Sequence, residues 1–89
     1  MQSISVTPTA GVQAATGYAE LIDVDMITAG ADMTLTLYDG TSTSGKKTLV
    51  TKAASGAIGV EHLTESYTFM HGIFAVLTGA NSEAILHLE

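Results

Sequence analysis

The stretch Met33 to Gly45, MTLTLYDGTSTSG, decides the fold. Met33, Leu35 and Leu37 alternate with Thr34, Thr36 and Tyr38. Successive side chains of an extended chain point to opposite sides, so one set faces a core and the other faces solvent or a neighbour. Asp39-Gly40 then opens a loop of small hydroxyl residues that Gly45 closes. An aspartate there accepts a backbone hydrogen bond two residues on, and Gly40 takes a positive φ without strain. A strand running into such a loop is half of a β-hairpin.

The other half is Lys46 to Ala53, in which Leu49 and Thr51 oppose Val50 and Lys52. Lys46, Lys47 and Lys52 are the only cations of the chain. Their grouping suits an edge strand, where lysine discourages pairing with foreign strands. Upstream, Tyr18 to Thr28 predicts a strand with Ile22, Val24 and Met26 on its core face. Asp23 and Asp25 mark the opposite face as solvated or interfacial, and residues 28–32 form the turn into Met33. At the N-terminus, Ser3 to Thr7 reads as a peripheral strand stopped by Pro8, which lacks an N–H. Residues 9–17 read as loop with some strand around Val12 to Ala14.

Downstream, Ala54-Ser55-Gly56 is a turn, and Ala57 to Leu63 is a strand with Ile58, Val60 and His62 on one face. Thr64 to Phe69 alternates Glu65, Tyr67 and Phe69 against Ser66 and Thr68. Helix competes for Val60 to Ser66, because Glu61 and Glu65 lie at helical spacing; the β-branched and aromatic residues that follow favour strand. After a bend at Met70-His71-Gly72, Ile73 to Thr78 is a nearly continuous apolar run, as in a strand covered on both faces. Gly79 to Ser82 is a tight turn. Glu83 to Glu89 then points Ala84, Leu86 and Leu88 inward, and Ile85 and His87 outward.

About seven to eight short strands at roughly 8–12-residue spacing predict an all-β chain with little or no helix. The expected architecture is a compact antiparallel β-sandwich, jelly-roll-like. Its 89 residues make one domain, with 1–17 as a peripheral arm or edge strand and 18–89 as the body. The core candidates are Ile22, Val24, Met26, Met33, Leu35, Leu37, Ile73, Ala75, Leu77, Leu86 and Leu88. Tyr38, Tyr67, Phe74 and Ile85 are the candidates for an interface or exposed surface.

Hydrophobic residues make up 46% of the chain but charged residues only 13%, against about 25% in an ordinary soluble domain. Mean hydropathy is +0.34, yet no apolar run approaches the roughly 20 residues of a membrane span. The first five residues have neither the basic nor the apolar part of a signal peptide. Few charges on a Thr/Ser/Ala-rich exterior predict a subunit partly covered by neighbours, with a monomer bearing such a face as the alternative. The net charge of −6, with three lysines and no arginine, would be repelled by a phosphate backbone or an anionic membrane. Neither nucleic acid nor membrane is therefore expected as a partner.

Chemistry-bearing patterns are missing. His62, His71 and His87 are spaced by nine and sixteen residues, which is not a zinc-ligand spacing. Asp23, Asp25, Asp32 and Asp39 do not form a calcium loop. No G-x-S-x-G elbow occurs, and the glycines follow turn logic. With no cysteine there is no disulfide or thiolate site. The expectation is a non-enzymatic protein with no catalytic residue, no cofactor and no metal. Tyr18, Tyr38 and Tyr67 leave sugar stacking open beside ordinary cross-strand packing.

Leu35 to Gly45 (LTLYDGTSTSG), a lysine-bearing strand, and His71 to Glu89 (HGIFAVLTGANSEAILHLE) together resemble small structural proteins of tailed bacteriophages. The likeness covers the strand at Tyr18 and everything from Met33 onward. It implies a β-sandwich or jelly-roll subunit of the virion: a head-decoration or cement protein, or a tail-associated component. It also implies a homo-oligomer, with a trimer favoured, whose partner is the major capsid protein or another virion protein. No active-site residue carries over. The competing function is a carbohydrate- or receptor-binding module of a phage tail or fibre.

Overall fold

The computed structural model of the chain describes residues 2–28, 31–54, 58–61 and 66–89, with the backbone alone for 58–61. The turn at Ala54-Ser55-Gly56 lies mostly outside these residues, and Ala29, Gly30, His62 and the helix reading for 62–65 lie wholly outside them. Nine strands form among the described residues. They are β1 Gln2–Val6, β2 Thr9–Thr16, β3 Ala19–Ile27, β4 Met33–Asp39, β5 Lys46–Ala53, β6 Ile58–Glu61, β7 Tyr67–Phe69, β8 Gly72–Thr78 and β9 Glu83–Leu88.

Period-two alternation sets most of them. In β4, Met33, Leu35 and Leu37 are buried and the residues between them are half-buried. In β9, Ala84, Leu86 and Leu88 are buried and Glu83, Ile85 and His87 are half-buried. All pairings are antiparallel. One sheet, here sheet A, runs β1-β9-β3, with β6 and β7 both on the far edge of β3; the other, sheet B, runs β2-β8-β4-β5. β6 pairs with residues 24–27 of β3 and β7 with residues 19–21, so together they fill one strand position. That leaves eight positions in two packed four-strand sheets, in the strand order of a jelly roll. The all-β sandwich expected from the sequence is what the chain forms.

The inner faces share one apolar core. Sheet A supplies Val6, Leu21, Val24, Met26, Phe69, Ala84, Leu86 and Leu88, and sheet B supplies Met33, Leu35, Leu37, Ile73, Ala75 and Leu77. Each fully buried Leu- or Met-sized side chain contributes about 1.5–3 kcal/mol.

Three expectations need correction. Ile22 is only half-buried, and Leu21 takes its place in the core. Between Leu21 and Asp23 the pairing with β9 slips by one residue. That bulge leaves Ile22 as the extra residue and brings Leu21 and Val24 to the same face, three apart instead of two. Tyr67, expected at the surface, is half-buried: opposite Leu21 in register, it packs against the core. Residues 9–17 are not mostly loop, because β2 runs over Thr9–Thr16, while β1 and β2 each take an edge of a sheet, as the edge-strand alternative for 1–17 has it.

Long-range ties hold one end of the sandwich. The Asp39 carboxylate is bonded outside its own turn. It accepts from the backbone N–H of His71 at 2.8 Å and of Met70 at 3.2 Å. The Gly40 N–H donates to the Gly72 carbonyl at 3.0 Å. Gln13 Nε2 lies within 3.1 Å of the carbonyls of Ala15, Gly40 and Ile73. Gly72 sits at this junction with φ +117°, and a Cβ there would stand 2.7 Å from the Ala15 carbonyl oxygen. No other residue fits that position without displacement.

The His71 N–H is the main reason the Asp39 carboxyl lies below its ordinary value. Some loss of hydration opposes it, and the Met70 N–H and the nearby His71 and Lys46 charges add to it. A carboxyl depressed in the folded state contributes stability that is present above its unfolded value and is lost as pH falls through the folded one. Asp39→Asn is therefore expected to lower the melting temperature at neutral pH and to flatten its fall below the ordinary carboxylate range. Melting curves from pH 7 to pH 2 check this, and parallel acid limbs for parent and variant would contradict it.

Candidate interaction surface

The outer face of sheet B is a grid of three rows of three. β4 pairs with β5 on one side and β8 on the other, so Tyr38 lies between Lys47 and Phe74, Thr36 between Val50 and Val76, and Thr34 between Lys52 and Thr78. Directly opposed residues on antiparallel strands share a face. Uncharged groups fill the β4 and β8 columns, and the lysines stand only along β5. Val50 is 46% exposed, and Phe74 and Val76 are half-buried. The Phe74 ring lies over Gly11 of β2, where an added Cβ would meet it at 2.5 Å. A glycine is what lets the ring lie flat across the strand.

The continuous apolar run of β8 predicts cover on both sides. Within the chain, Ile73, Ala75 and Leu77 are buried inward, while Phe74 and Val76 remain partly open outward.

The outer face of sheet A has another character. Ser3 lies opposite His87 and Ser5 opposite Ile85 on one side of β9; Asp23, Asp25 and Ile27 face His87, Ile85 and Glu83 on the other. His87 Nδ1 is 3.0 Å from Ser3 Oγ, and its Nε2 is 2.9 Å from Asp25 Oδ2. Ser5 Oγ donates to the Glu83 carboxylate. These ties clip β1, β9 and β3 together. Serine, histidine and aspartate are the residue types of a nucleophilic triad, but here they cross an open sheet face. A hydrolytic site needs a walled pocket with oxyanion donors as well. The four surface candidates therefore divide: Tyr38 and Phe74 meet on sheet B, Ile85 lies among acids on sheet A, and Tyr67 turns inward.

Between the edges β1 and β2 lies an open cleft of about 340 Å³ lined by Gln2, Gln13, Tyr18 and Glu89 among others. Tyr18 is 64% exposed at this place. The three tyrosines do not converge: Tyr18 lines the cleft, Tyr38 pairs across strands with Phe74, and Tyr67 packs on the core. Among the described residues, no three histidine or carboxylate side chains come together to hold a metal ion.

The sequence made Tyr38 and Phe74 legible as outward aromatics. It did not show that His87 joins Ser3 to Asp25, since those pairs are separated by 84 and 62 residues and only strand order brings them together. No family model, curated protein or solved structure matches the chain.

Proposed function

We propose that this chain is a non-enzymatic structural subunit of a phage virion, a decoration or cement protein that associates with its own copies and binds the capsid shell by the outer face of sheet B. The observation that carries the reading is β8. Its sequence is apolar on both sides, and the fold covers one of them. A face of threonines, valines and two aromatics, with charge only along one margin, suits a protein interface whose core is depleted of charge. A rigid two-sheet slab also presents that face without an ordering cost on binding.

The competing reading, a sugar-binding module, draws on one observation: Tyr18 stands exposed at a cleft that also holds two glutamine side chains. Aromatic stacking beside amide groups is how neutral sugars are held. Binding of neutral oligosaccharides on a glycan array, lost in Tyr18→Ala, would favour it over the structural reading.

Sedimentation velocity at micromolar concentration tests self-association. The expected species has a mass that is a multiple of 9.2 kDa, with three copies favoured. A 9.2 kDa monomer throughout would contradict the reading, as would absence of the chain from purified particles by mass spectrometry.

A further inference from the structure

The outer faces of the two sheets carry charges of opposite sign. All three lysines stand on β5, at the edge of sheet B, and all are exposed. The outer face of sheet A carries Glu20, Asp23, Asp25 and Glu83 around Ile85 and the 37%-exposed Ile27. Resting on the assembly reading above, we infer that the β5 edge of one copy docks on the outer face of sheet A of a second copy, head to tail.

Two alternatives are electrostatically poor. A two-fold contact through β5 would set lysines against lysines, and one through sheet A would set carboxylates against carboxylates. Like charges juxtaposed across an interface oppose association, and opposite ones steer it. Only the edge-to-face arrangement brings the two signs together. It also joins apolar groups, because Val50 lies between Lys47 and Lys52 on β5 and meets Ile85 and Ile27 within the acidic face. The lysines then have two roles: they keep foreign strands off the edge and they select the partner.

Geometry sets the outcome. Lys47, Val50 and Lys52 stand at the β5 margin and point out of the outer face of sheet B, whereas the acidic patch points out of the opposite face of the sandwich. A heterologous contact between such patches joins copies head to tail, closing into a ring where the rotation between copies closes and extending as a stack where it does not.

Charge reversal with rescue tests this on the full chain. Lys47→Glu with Lys52→Glu forms one variant, and Glu20→Lys with Asp23→Lys the other. Each alone is expected to raise the concentration for half-assembly by about tenfold or more in sedimentation velocity. An equimolar mixture of the two matches opposite charges at every contact when the variants alternate, so it is expected to assemble where neither variant does alone. The combined four-substitution chain, whose net charge equals the parent's −6, is expected to assemble again, since each contact is then reversed on both sides. Circular dichroism matching the parent shows that each variant is folded. Parent assembly that also weakens from low to high salt supports the contact. Assembly untouched by either pair, or no recovery in the combined chain, would overturn this contact while leaving the structural-subunit reading standing. A parent that stays monomeric would overturn both.

Discussion

Phe69→Ala is expected to cost about 3–5 kcal/mol, the usual cost of truncating a fully buried phenylalanine. Phe69 is the largest of the fully buried side chains, and β7, which carries it, is only three residues long. It is held opposite Ala19 of β3, so the ring rather than the short strand's own pairing anchors this edge of sheet A. A domain of 89 residues has a total stability of roughly 4–13 kcal/mol, so one substitution removes a large share of it. With about 4–8 °C lost per kcal/mol in a domain of this size, the melting temperature should fall by more than about 12 °C. Thermal denaturation followed by circular dichroism measures it. A fall of only a few degrees would mean that the ring is not packed between the sheets.

Phe69 also shows where sequence reading stops. Its alternation with Thr68 and Ser66 was visible, and so was a face shared with Tyr67. Glu65 falls on that same face by parity, so the pattern did not mark it as the inner one. Sheet membership supplies the answer: β7 borders Leu21, and Leu21 is buried. In β3 the failure has another cause. Strict alternation from Val24 backwards selects Ile22, but one bulged residue moves the core position to Leu21. Nothing in AELIDVDMI announces the bulge, because every residue in it is compatible with a strand. Where the ladder is regular, as in β4 and β9, the inner and outer sets were legible residue by residue.

Strand order was the larger gap. Hydrophobic period gives strands and their faces, but the chain crosses between sheets on nearly every connection, and pairings such as β1 with β9 join the two ends of the sequence. Those pairings build both candidate surfaces. The grid on sheet B needs β8 beside β4, and the acidic face needs β9 beside β3. Asp39 illustrates the same limit: its residue type announced a turn acceptor, and the fold uses it to hold a different turn.

The second large effect is expected at Thr36. It sits at the centre of the sheet B grid, between Val50 and Val76, with its side chain outward. Arginine there would place a charge where the proposed contact with the shell excludes water, and an unpaired charge in a covered interface costs several kcal/mol. Binding should weaken about a hundredfold or more. The fold should tolerate the change, because an outward strand position costs at most about 1 kcal/mol in β-propensity. Self-association through the β5 edge and sheet A should persist.

Co-sedimentation with shells assembled from phage major capsid protein tests the central claim, that the chain is a rigid slab whose outer sheet B face docks on a virion shell. The account predicts that the parent pellets with shells, whereas folded, oligomeric Thr36→Arg stays in the supernatant. A parent left in the supernatant, or a variant that pellets as fully as the parent, would contradict it.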